Sequence, residues 1–211
     1  MNRTKVLVEE SGDVQEFAIR YFDYLYSLLK ELDTDALTAF VEELEIARWQ
    51  ENTIFIVGNG GSAATASHMA NDLSIGAKVN EDKPFRALAL TDNIAVMTAT
   101  ANDFGYETLF VNQLKVFYRP GDRLIAISAS GNSPNVVKAA EWVKDQGGTV
   151  MGLVGFDGGA LKDICDIAIH VKTKKGEYGP VEDIHIILDH LIYTWFRQKT
   201  QKEKLNEIVG R

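Results

Sequence analysis

Residues 53–73 read TIFIVGNGGSAATASHMANDL. The run Thr53–Val57 is apolar and rich in β-formers, Ala63–Leu73 has the composition of a helix, and only Gly58-Asn59-Gly60-Gly61-Ser62 separates them. Such a join is a βα turn. Glycine has no Cβ, so backbone N–H groups there approach a ligand closely, and the helix N-terminus that follows favours negative charge. A phosphate is therefore the ligand this turn suits best. Gly58–Ala63 also fits the short dinucleotide pattern G-x-G-x-x-A, but that pattern needs an acidic residue ending the next strand about 20 residues on. Here the next strand ends much later, near Thr91-Asp92, and the loop has no lysine of a Walker type. Nucleotide binding is set aside.

Working outward, short apolar runs alternate with helical patterns: TIFIV (53–57), RALAL (86–90), RLIAI (123–127), TVMGLV (149–154) and DIAIHV (166–171). Continuous apolar strands separated by helices predict strands buried on both faces, hence an α/β fold: a three-layer α/β/α sandwich on a five-stranded parallel sheet. Ahead of it, Phe17, Tyr21, Tyr24, Leu25, Leu28 and Leu32 recur at helical spacing, and Leu37, Phe40, Val41 and Leu44 resume after Asp33-Thr34-Asp35. These predict a helical hairpin over residues 1–50 packed on a core of residues 51–211, one structural domain in all. A last helix is expected from about Val181 through Phe196.

Composition narrows the function classes. With 211 residues, 45% of them hydrophobic, the chain can bury a large core. A net charge of −8 argues against nucleic acid as a partner, which demands a concentrated basic surface, and the one basic cluster, Lys172-Thr173-Lys174-Lys175, reads as a solvated loop. The single cysteine, Cys165, excludes an internal disulfide framework and a cysteine-rich zinc site. MNRTKVLVEESGD at the start has no signal-peptide core, and no apolar run approaches the roughly 18 residues of a membrane span. A cytoplasmic protein without a membrane partner is expected.

A second strand-to-helix turn, Ile127-Ser128-Ala129-Ser130-Gly131-Asn132-Ser133-Pro134, sets three hydroxyls before a helix opened by proline. One serine would cap that helix; three within six residues point to a second set of phosphate contacts. Ionisable groups follow at helical spacing. His68 and Asp72, at i and i+4, share a helix face and can grip one metal or one proton. Glu182, Asp183, His185, Asp189 and His190 crowd an otherwise apolar helix. Periodicity does not choose among them: Glu182 and Asp189 share a face, and His190 lies about 80° round from Glu182. Taken singly, such groups are commonly ion pairs or complements to a helix dipole; beside two phosphate loops they form an acid–base constellation. His170, ending a strand, reads as a packing residue, and His185 as structural or interfacial.

Together GNGGSAATASHMANDL, LTDNIAVMTATANDFGYE, AISASGNSPNVVKA and VEDIHIILDHLI resemble the sugar isomerase (SIS) domain proteins, most closely the sedoheptulose 7-phosphate isomerase (phosphoheptose isomerase) group. The resemblance covers nearly all of residues 50–197 and implies a flavodoxin-like, Rossmann-type sheet that carries no nucleotide. It further implies a substrate phosphate held by Ser62, Ser128, Ser130 and Ser133 with backbone help around Gly60, Gly61 and Ala129, and a sugar faced by Asn59, Asp92, Asn93 and Glu182. It selects Glu182 and His190 from the crowded helix. By the same resemblance Asp72 and His190 are the catalytic pair, His68, Asp72, Glu182 and His190 hold Zn²⁺, and the chain assembles as a homotetramer. The apolar faces of the hairpin and the last helix, larger than one sheet needs, agree with assembly.

The implied reaction converts sedoheptulose 7-phosphate to D-glycero-D-manno-heptose 7-phosphate through an enediol: a base takes the proton from the carbon beside the carbonyl and an acid protonates oxygen. Mixed imidazole and carboxylate donors suit zinc, which can polarise the substrate oxygens. The chain also departs from the resemblance. Asp72 is one methylene shorter than the usual glutamate, Glu182 stands for glutamine and adds a charge toward a cation, and Gly76 and Gly179 replace an arginine and an aspartate. These changes bear on which sugar is held more than on the reaction. The alternative class is a non-catalytic SIS module that binds a sugar phosphate or a protein partner, as in relatives that associate with a replication initiator. Retention of both histidines and two carboxylates favours the enzyme.

Overall fold

The computed structural model describes residues 2–77 and 83–209, with side chains as far as residue 199. Three helices come first: α1 (Arg3–Glu9), α2 (Val14–Lys30) and α3 (Thr34–Trp49). The last two fall on the two expected helical stretches, each opened by an aspartate. Asp13 accepts from the Glu16 amide at 2.8 Å, and Asp33 from the amides of Asp35 and Ala36 at 3.0 Å. The short α1 was not foreseen.

β1 (Thr53–Val57) leads through the glycine turn into α4 (Gly61–Asn71), which runs on as a π-helical turn over Asp72–Gly76. Then come β2 (Arg86–Ala89), α5 (Ile94–Phe104), α6 (Leu109–Phe117), β3 (Arg123–Ser128), α7 (Pro134–Asp145), β4 (Thr149–Val154), α8 (Gly159–Ile164), β5 (Ile167–His170) and α9 (Tyr178–Val209). All five strands fall on the expected apolar runs, and α9 extends beyond both of its expected ends.

The five strands lie in the order β2-β1-β3-β4-β5 and every pairing is parallel. The chain leaves β1 in one direction to make β2 and returns to the other side to make β3. In open parallel sheets this reversal leaves a crevice beyond the C-terminal ends of the two strands, here β1 and β3.

Alternation along β1 separates the layers: Ile54 and Ile56 pack with α2, α3, α4 and α9 through Leu28, Phe40, Leu44, Met69, Ile184 and Leu188. Phe55 and Val57 face the opposite side, with Phe110 and Leu114 of α6, Val136 and Val143 of α7, and Leu161 of α8. Both faces are covered, which is why the strands read as unbroken apolar runs. Burying a single side chain such as Phe40 or Phe110 stabilises the fold by about 2–3 kcal/mol. Among the described residues no helix is long and apolar enough to cross a membrane.

Candidate active site

Both serine loops open into one cavity of about 130 Å³, lined by Asn59, Ser62, Ser128, Ala129, Ser130 and Ser133, with Tyr178 and Glu182 of α9 closing it. The amides of Gly61 and Ser62 belong to the first turn of α4, where no carbonyl of the helix can accept them. In the second loop the Ser128 Oγ accepts from the Gly131 amide at 3.1 Å and lies 3.4 Å from the Ser133 Oγ, while the Ser130 Oγ accepts from the Asn132 amide at 3.2 Å. Gly131 sits at φ +63°, and a Cβ there would stand 1.9 Å from the Gly158 carbonyl oxygen. The loop is thus held against the turn before α8 and requires glycine at this position.

Asn59 is fixed by a reciprocal pair with buried Asn135, each amide donating to the other's oxygen at 2.8 Å, and the Tyr106 hydroxyl donates to its Oδ1 at 2.9 Å. One N–H of its side chain is left over for a ligand. Asp92 accepts from Ser67 and, at 3.3 Å, from Thr91. The Asn93 side-chain oxygen caps α5 by accepting from the Val96 amide at 3.1 Å. Neither Asp92 nor Asn93 lines the serine cavity.

α4 and α9 lie side by side and run in the same direction. Gly61 meets Glu182 near their starts, His68 meets His190 further along, and Gly76, past the end of α4, meets Tyr193. A Cβ at Gly61 would stand 2.2 Å from the Glu182 Oε2, so a larger residue there would have to displace that carboxylate. Burial, and then the charge of Asp183, raise the Glu182 carboxyl above the usual range.

Further along, the His68 and His190 Nε2 atoms are 3.1 Å apart and the Asp72 Oδ2 is 3.5 Å from the former. Asp189 completes the group: one ligand atom from each of His68, Asp72, Asp189 and His190 lies within 4.8 Å of the others. Zinc bonds of 2.0–2.1 Å in a tetrahedron set donor atoms about 3.3 Å apart, so these separations of 3.1 and 3.5 Å fit one small cation. Asp189 is 1% exposed, and neither carboxylate oxygen has a hydrogen-bond partner among the described residues. Burial, and then the charge of Asp72, push its carboxyl up to about 7.

Glu182 is not in this group. Eight residues of helix set it about 12 Å along the axis from His190, at the serine end, so it lines the cavity expected for phosphate. His170, expected to pack, directs its Nε2 to the Phe156 carbonyl oxygen at 3.0 Å. Phe156 has φ +50° and rests on Tyr178, with ring centroids 5.0 Å apart. His185 is fully buried. Asn135, Tyr106, Tyr178 and the placement of Asp189 were not singled out from the sequence. The first three look like ordinary helix-opening or loop residues, and Asp189 was one of five undistinguished ionisable groups.

The chain is similar to known proteins in sequence and in fold. The SIS domain family model matches residues 20–155. A phosphoheptose isomerase of Rhodospirillum rubrum is 40% identical over 139 residues, which cover 66% of this chain and 72% of that protein. One from Nitratidesulfovibrio vulgaris is 35% identical over 191 residues, 90% of this chain and 86% of that protein. Among solved structures, the phosphoheptose isomerase of Neisseria gonorrhoeae superimposes with a TM-score of 0.77 at 27% identity, over 88% of this chain and all of that one.

Proposed function

The chain belongs to the SIS domain family, and from that premise we propose that it is an aldose–ketose isomerase acting on a sugar phosphate, with sedoheptulose 7-phosphate as the substrate. The observation that carries this reading is the joint arrangement of an anion cavity and an acid–base cluster along two parallel helices. From Ser62 to His68 the rise along α4 is about 9 Å, and from Glu182 to His190 along α9 about 12 Å. An extended sugar chain advances about 1.25 Å per tetrahedral bond, so the phosphorus and C1 of a seven-carbon 7-phosphate are about 10 Å apart. Five-carbon sugars fall short of that span.

In this reading Ser62, Ser128, Ser130 and Ser133, with the first-turn amides of α4, bind the phosphate, and Asn59, locked by Asn135, orients the sugar. Asp72 takes the proton from the carbon beside the carbonyl and His190 delivers one to oxygen, giving the enediol; reversing the roles at the neighbouring carbon completes the isomerisation. A divalent cation, zinc by donor type, would be held by His68, Asp72 and His190 and would polarise the substrate oxygens. Asp72 has one oxygen for a cation and one for a proton. The His190 Nε2 serves one or the other at a time, so activity is to be measured both with zinc and after chelation. The enzyme is read as a cytoplasmic homotetramer. Exposed Val14, Phe22 and Tyr26 on α2 and Phe104 and Phe117 near α6 support assembly.

The deciding experiment incubates the protein with ketose phosphates of five, six and seven carbons in D₂O and follows product and deuterium by NMR. Turnover should be greatest for the seven-carbon substrate. Asp72→Asn and His190→Gln should each abolish exchange while inorganic phosphate still binds, because the serine loops are separate from them. Full activity in both variants would remove the assignment.

A further inference from the structure

Asp189 is a carboxylate placed where the fold gives it no partner. Its neighbours on α9 are apolar Leu188 and, turned toward His68, His190. It is 1% exposed and both oxygens lack a hydrogen-bond donor, whereas buried carboxylates are ordinarily paired or bonded to a metal. The group closest in charge is another carboxylate, Asp72, and among the described residues neither forms an ion pair with lysine or arginine. Two acidic groups face each other with two imidazole Nε2 atoms beside them, all within 4.8 Å. That arrangement is repulsive unless something positive stands among them.

We propose that Asp189, rather than Glu182, is the fourth protein ligand of a divalent cation held by His68, Asp72 and His190. The proposal rests on the metal reading of the site given above and adds a residue to it. The chemistry is consistent on each side. Two imidazoles and two carboxylates are a mixed nitrogen and oxygen set that suits zinc, their net charge of −2 neutralises a divalent ion, and a substrate oxygen would be met by expansion to five-coordination. Glu182, beside Gly61 and the serine cavity, is left free to face the substrate.

The test titrates metal-free full-length protein with Co²⁺, read by its visible d–d absorption, and with Zn²⁺ by competition. The proteins compared are the wild type, Asp189→Asn, Asp189→Leu and Glu182→Gln. Both Asp189 variants should lose at least about tenfold in affinity, the lower end of what even an outer-shell change costs, and should alter the cobalt spectrum. Glu182→Gln should keep both affinity and spectrum. Thermal melting of the same proteins gives an independent reading. Without metal, Asp189→Leu should melt above the wild type because it removes an unpaired buried carboxylate, and zinc should raise the wild type by more than either variant. If cobalt binds the Asp189 variants as it binds the wild type, or if Glu182→Gln alone loses it, the metal reading stands and this inference falls. If the wild type takes up no cobalt or zinc, both fall.

Discussion

Asn135 has no chemistry of its own to contribute, yet it decides where Asn59 points. Asn135→Ala should destabilise the protein by about 1–3 kcal/mol, the cost of unpaired buried amide groups, and should raise KM more than it lowers kcat because the sugar is held less well. Urea melts and steady-state kinetics check both halves. Gly131→Ala should be worse, since φ +63° and the Gly158 carbonyl leave no room for a methyl group. A loss of at least about 2 kcal/mol is expected in the same melts, together with weakened phosphate binding. The sequence revealed the glycines and serines of both loops because their composition is unusual for a helix start. It did not reveal Asn135, which follows Pro134 as any polar first-turn residue would. Nor did it separate Asp189 from Glu182: angular position on a helix is legible from spacing, but depth against a neighbouring helix is not.

Among the elements, the strands were the most legible and α9 the least. TIFIV, RLIAI and TVMGLV are apolar because both faces of the sheet are covered, so their reading needed no knowledge of partners. α9 continues to Val209 through the polar stretch RQKTQKEKLNEIV, where no apolar periodicity marks a helix. Inside α9, His185 makes the element sensitive to acid. Full burial, only partly offset by the Val154 carbonyl, pushes its imidazole down from 6.5 to about 4, and neither ring nitrogen has a hydrogen bond of ordinary geometry. Between these two values the unfolded chain binds the proton and the folded one does not, so this residue's contribution to stability rises with pH across that window, while the raised Asp189 carboxyl contributes with the opposite sign. The His185 contribution is complete above about pH 6.5 and falls by about 3 kcal/mol as pH drops to about 4. Urea denaturation of the wild type and His185→Leu from pH 4 to 7 isolates that contribution as the difference between their slopes, the wild type gaining more stability than the variant as pH rises. An equal slope in that variant would assign the acid sensitivity to other groups.

For the molecule as a whole, the strand order β2-β1-β3-β4-β5 matters most, because it brings the two serine loops to one crevice although 65 residues of sequence lie between Ser62 and Ser128. A parallel sheet puts both loops at the same edge, and this strand order puts them side by side. Assembly is the property still to be measured at this scale. Light scattering should find a tetramer, and Phe22→Glu, which charges an exposed apolar position on α2, should shift the population toward smaller species without lowering helical content.

The pairing of α4 with α9 has a temporal consequence. His68 and His190 are separated by 122 positions along the chain, and between them lie β2, β3, β4 and β5, the bulk of the sheet. During synthesis both anion loops have been made once Ser133 is added, but the partner helix α9, from Tyr178, follows only after β4, α8 and β5. Contacts of such long range form late and slowly. Recovery of turnover after dilution from denaturant should therefore lag behind recovery of secondary structure.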